Sequence, residues 1–94
     1  MDEKLVKLTQ GAIKNGYIQV NSFAQNLSSH IWGGKNKSEG AFMKLKINFY
    51  DDIFYTDIDG SKKILRKRFG TYMQNKSYAK IQIISKNEIT LSFL

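Results

Sequence analysis

Hydrophobic and polar positions alternate most clearly in residues 42–50. Leu45, Ile47 and Phe49 fall on one side, Lys44, Lys46 and Asn48 on the other. A period of two predicts a strand with one buried and one wet face. The C-terminal stretch repeats the pattern twice. Ile81 and Ile83 alternate with Gln82, and Ile89, Leu91 and Phe93 alternate with Thr90 and Ser92. Lys86-Asn87 between them predicts a turn, so residues 79–85 and 88–93 read as a hairpin. Residues 17–20 read as a short strand after the Asn15-Gly16 turn signal, and residues 53–58 as a strand rich in β-branched and aromatic side chains. Asp59-Gly60 predicts a hairpin turn, with residues 62–66 as the return strand. Helical spacing is weaker. Residues 22–30 place Phe23, Ala24 and Leu27 on one face behind Asn21 or Ser22 as N-cap. Residues 67–76 do the same with Phe69, Tyr72 and Met73, although Gly70 interrupts them. Residues 31–40, with Gly33, Gly34 and Gly40, read as loop.

Six or seven strands with two short helices make a mainly β chain. So many short strands in a small chain favour a barrel, which protects strand edges. The sequence has 94 residues, enough for a single domain spanning residues 1–94, and it shows no repeat or linker composition. A hydrophobic share of 41% supplies a core. No apolar run approaches the ~20 residues of a membrane span, and no signal-peptide core follows Met1. A soluble cytoplasmic protein without membrane contact is expected.

The charge narrows the function. The net charge is +7, and it is unevenly distributed. Asp51, Asp52, Asp57 and Asp59 make residues 51–59 acidic. Residues 60–80 contain Lys62, Lys63, Arg66, Lys67, Arg68, Lys76 and Lys80 and no acid. A solvated lysine face is the plain explanation of such a run. The functional one is an element that contacts an anion, above all nucleic-acid phosphate.

Catalytic chemistry finds little support. The absence of cysteine removes disulfides, thiolate metal sites and thiol nucleophiles. His30, the single histidine, stands beside Trp32, where capping or packing explains it. Asp57-x-Asp59-Gly60 resembles the start of a calcium loop but lacks the downstream glutamate. Gly33-Gly34 lacks the Lys-Ser/Thr helix start of a phosphate loop. The chain is read as a non-enzyme that needs no cofactor and no metal.

Two segments carry binding chemistry. In residues 9–17, Gln10 and Asn15 can form paired hydrogen bonds to adenine. Lys14 can reach guanine or phosphate, Tyr17 a phosphate or a thymine methyl, and Thr9 lies beside them. The hairpin of residues 53–66 presents Asp57, Asp59, Ser61, Lys62, Lys63 and Arg66, with Arg68 just beyond. A two-stranded ribbon can enter a major groove.

The order of these pieces resembles the B3-like DNA-binding pseudobarrel, which includes plant B3 transcription-factor domains and recognition domains of bacterial type II restriction endonucleases. The resemblance rests on Leu8-Thr9-Gln10-Gly11-Ala12-Ile13 followed by Gly16-Tyr17-Ile18-Gln19-Val20, which look like the family's first strand pair. It rests also on the stretch from Tyr55 through Asp59-Gly60 to Arg68, and on the closing strand pair. It runs from Leu8 to Leu94. It implies two arms in the major groove of duplex DNA, residues 9–17 and 57–66, and restriction–modification as the setting. Phe69-Gly70 and Ser77-Tyr78 depart from the plant pattern. A nuclease domain or subunit would be separate from these residues. Two other readings stand beside it. One is a basic OB-like barrel that stacks single-stranded bases on Tyr17, Trp32, Phe54 and Tyr55. The other is a phage-type inhibitor with a basic face.

Overall fold

A computed structural model describes residues 2–28, 31, 44–58, 64–66 and 69–94. The chain is mainly β, with seven strands and two short α-helices among the described residues. Five strands form one sheet in the order β1 (Asp2–Lys7), β6 (Tyr78–Ser85), β7 (Glu88–Phe93), β3 (Leu45–Phe49) and β4 (Asp52–Thr56). β2 (Tyr17–Gln19) and β5 (Ile64–Arg66) form the second sheet. All neighbours pair antiparallel except β3 and β7, which run parallel.

Period-two patterning explains the large sheet. β3 buries Leu45, Ile47 and Phe49, β6 buries Ala79, Ile81 and Ile83, and β7 buries Ile89, Leu91 and Phe93. The small sheet adds Ile18 and Leu65 to the same core, and the segments between strands add Phe23, Leu27, Ile31, Ile58, Phe69 and Met73. Phe49 and Phe69 are its aromatic centre. Their rings are 5.6 Å apart, edge to face, and Phe93 lies within 6.0 Å of both.

The structure adds one element to the sequence reading and corrects others. Residues 2–7 are a strand. Glu3, Leu5 and Lys7 are exposed while Val6 packs on the core, and the many charges hide that alternation. Residues 10–15 form a helix, α1 (Gln10–Asn15), where the sequence suggested a loop and first strand. Thr9 Oγ1 accepts the Ala12 N–H at 3.1 Å as N-cap. Gly16, at φ 70°, closes the helix by donating its N–H to the Ala12 carbonyl. Asn15-Gly16 is therefore a helix end, since glycine at positive φ serves either purpose. The helix expected at residues 22–30 is reduced to one 3₁₀ turn, Ala24–Asn26, preceded by a turn in which the Phe23 N–H donates to the Val20 carbonyl. Phe23 and Leu27 are buried as expected, but a segment rich in Asn and Ser favours turns over helix. Residues 29 and 30 lie outside the described residues. The helix expected at 67–76 is α2, Gly70–Met73, and it ends before Asn75, which takes a left-handed φ of 64°.

A further correction concerns the hairpin of residues 53–66. β4 turns back on β3 through Tyr50-Asp51 and pairs with it along its whole length. β5 crosses to β2, where Leu65 sits opposite Ile18, both fully buried. β5 takes the strand whose apolar residue it can cover, and so a β4–β5 ribbon does not form. The Asp59-Gly60 turn lies outside the described residues.

Tyr50 occupies the β3–β4 turn at φ 54°, costly for a residue with a Cβ. Its hydroxyl accepts the Phe93 N–H at 3.2 Å, and its ring stacks on Tyr72 at 6.0 Å. These contacts hold the strained turn.

Candidate nucleic-acid interface

The β2–β5 ladder brings together the last residue of each predicted arm. β2 leaves α1 directly after Gly16, and its first residue, Tyr17, pairs with Arg66 of β5. Tyr17, the last of residues 9–17, thus lies opposite the end of the segment that contains Arg66. The linear pattern could not reveal this, because it depends on which strand β5 chooses.

On α1, Ala12 is the buried position and Ile13 packs against the core. Gln10 and Lys14 are four apart and share the exposed face. Among the described residues, Lys14 has no ion pair. Thr9 and Asn15 have local structural duties. Besides the Thr9 cap, Asn15 Nδ2 donates to the Gly11 carbonyl at 2.9 Å. Its carbonyl oxygen is left to accept from a ligand. Tyr17 is half-buried and packed on the core, and a Cβ on Gly11 would stand 3.6 Å from its hydroxyl. That makes it more a support for α1 than a contact residue.

The second arm is less uniform. Asp57 accepts from Lys44 Nζ at 3.3 Å and so is engaged within the protein. Arg66 is located by its backbone, opposite Tyr17. Asp59, Ser61, Lys62, Lys63 and Arg68 lie outside the described residues. So do Trp32 and His30.

Lys7 escaped the sequence reading, and Lys76 entered it only as one of the bases of residues 60–80. Lys7 ends β1, two residues before the α1 cap, and Lys76 lies just after α2. Both are exposed, and neither has an ion pair among the described residues. The Leu8 N–H donates to the Ser77 carbonyl at 2.9 Å, and Lys7 sits opposite Tyr78 in the ladder. Two lysines far apart in the chain are thereby brought to the end of the molecule that holds α1. Only the β1–β6 pairing could have revealed them.

Several other charged side chains among the described residues are matched. Lys46 lies 4.0 Å from Glu88, which also accepts from Asn48 Nδ2 at 2.8 Å. Lys80 lies 3.7 Å from Glu3, which also accepts from Gln82 Nε2 at 3.4 Å. These bonds tie neighbouring strands across the outer face of the large sheet.

Among the described residues, no group of three or more His, Cys, Asp or Glu side chains could hold a metal ion, and no helix is long and apolar enough to cross a membrane. No family model matches the chain, and no curated protein or solved structure does.

Proposed function

We propose that this chain is a cytoplasmic, sequence-specific reader of double-stranded DNA, of the B3-like kind, serving a restriction–modification system. The observation that carries the reading is the Tyr17–Arg66 pairing, which makes neighbours of the two segments with base- and phosphate-contacting chemistry. On this reading Gln10 and Lys14 meet the groove from the exposed face of α1. Lys7 and Lys76 neutralise flanking phosphates. Arg66, with Ser61, Lys62, Lys63 and Arg68, forms the second arm. Thr9 and Tyr17 hold α1 in place, and Asp57 keeps Lys44 at the base of that arm. The reading requires neither a cofactor nor catalysis by this chain, and it leaves DNA cleavage to a separate nuclease domain or subunit.

The single-strand reading has less support. Tyr17 and Phe54 are half-buried against the core and lie on different sheets, and Tyr55 alternates with Phe54 along β4. These rings do not form one stacking surface.

The test is selection from randomised duplexes, followed by titration of the enriched site. Lys14→Ala and Arg66→Ala are expected to weaken binding by roughly 1–3 kcal/mol if they contact bases, and to relax preference at one position each. A phosphate contact would instead weaken all sequences alike and lower the salt slope by about one. Recovery of no enriched sequence overturns the reading.

A further inference from the structure

The acids of this chain are confined to part of it. Asp2, Glu3, Asp52 and Glu88 lie on strands of the five-stranded sheet, and Asp51 and Asp57 flank β4. Residues 4–38 hold five Lys and no acid, and residues 60–80 hold seven Lys or Arg and no acid. These two stretches contain α1, β2, β5 and α2. The β2–β5 ladder is thus the sheet whose surroundings in the chain attract a polyanion. Ile18 and Leu65 stand opposite each other in it, both fully buried, and so fix its inner face. With a period of two, Tyr17 and Gln19 take the outer face of β2. The register sets Arg66 and Ile64 beside them. Helix α1 folds back on Tyr17, where a Cβ on Gly11 would stand 3.6 Å from the tyrosine hydroxyl. Tyr17 is half-buried there, whereas Gln19 is exposed. Asn15, Asn48 and Gln82 spend their amides on the Gly11 carbonyl, Glu88 and Glu3. Gln19 has no side-chain hydrogen bond among the described residues. Its oxygen and its NH₂ group are both left for a ligand, and together they match N6 and N7 of adenine.

We propose that Gln19 reads an adenine in the major groove, from the outer face of the β2–β5 ribbon. The inference rests on the duplex-reading function proposed above and adds a specificity-determining residue to it. A two-stranded ribbon fits this groove. Two residues of strand rise about 6.8 Å, and one base-pair step rises about 3.4 Å. Gln19 lies two residues along β2 from the position opposite Arg66. With the ribbon lying along the groove, its adenine therefore falls within two base pairs of the position that Arg66 meets. A β4–β5 hairpin would have separated these residues; the pairing of β5 with β2 is what makes them one reading face.

The test is selection from randomised duplexes with the full chain and with Gln19→Ala, Gln19→Glu and Arg66→Ala. The wild-type site should contain an adenine preferred by about five- to 150-fold, within two base pairs of the position that Arg66→Ala relaxes. Gln19→Ala should relax the adenine position alone and leave the salt slope of binding unchanged. Gln19→Glu should exchange adenine for cytosine there, because the cytosine amino group donates to a carboxylate. Both Gln19 variants should unfold like the wild-type chain, since the side chain is exposed. An enriched site that both variants keep unaltered overturns the inference and leaves duplex reading standing. So does a Gln19→Ala variant that weakens all sequences alike and lowers the salt slope, which marks a phosphate contact, and so does an adenine more than two base pairs from the Arg66 position. Recovery of no enriched site by the wild-type chain overturns duplex reading itself, and this inference with it.

Discussion

On the outer face of the five-stranded sheet, Lys46, Asn48 and Glu88 satisfy one another, as do Lys80, Gln82 and Glu3. Around α1 the exposed Gln10, Lys14, Lys7 and Lys76 carry the same kinds of polar group, and among the described residues none of the lysines is paired with an acid. The two regions share one core, so they do not differ in how they are held. They differ in what their surface groups have left to offer. A paired lysine must give up its carboxylate to bind phosphate, whereas an unpaired one gives up only water and counterions. Net charge is therefore a poor guide to an interface, and unmatched charge is a better one.

Substitutions can break this comparison at different depths. The largest effect is expected from Phe69→Ala, because the ring is fully buried against Phe49, Phe54 and Phe93. It should cost about 3–5 kcal/mol in urea or thermal unfolding. Both regions should lose structure in one transition; separate transitions would show that the core is not shared. Thr9→Ala comes next. It removes the α1 cap at a cost of about 0.5–2 kcal/mol. Duplex binding should weaken as well, because Gln10 and Lys14 ride on α1; unchanged binding would place the interface elsewhere. Glu3→Gln should have the smallest effect. It breaks an exposed pair with Lys80 and should shift stability by less than about 1 kcal/mol in the same unfolding assay. It should leave duplex affinity nearly unchanged despite the loss of a negative charge. A large gain in affinity would show that the sheet face binds nucleic acid too.

Some elements were legible because local pattern and final environment agree. In β3, β6 and β7 the residues expected inside are the buried ones, and the Lys86-Asn87 turn joins β6 to β7. β1 was hidden because its outward residues are mostly charged and its apolar residues are few. α1 was hidden because six residues are too short for helical periodicity to show, although Thr9 and Gly16 are ordinary capping residues. In the candidate site, the exposure of Gln10 and Lys14 was open to sequence reasoning. The inward packing of Tyr17 and the Lys44–Asp57 pair were not, because each depends on a neighbour from another element.

The sequence by itself determined a mainly β chain with its alternating faces, its last hairpin, and an excess of positive charge that follows an acidic stretch. These are properties of neighbouring residues, set by side-chain period and turn chemistry. Tertiary structure alone decided that β4 pairs with β3, that β5 crosses to β2, and that β3 runs parallel to β7. Several strands of similar apolar character could pair in more than one order. The order adopted covers Ile18 with Leu65 and closes Phe49, Phe69 and Phe93 into one cluster. That choice set Tyr17 beside Arg66, drew Lys7 and Lys76 toward α1, and left Ile53 and Tyr55 exposed on β4.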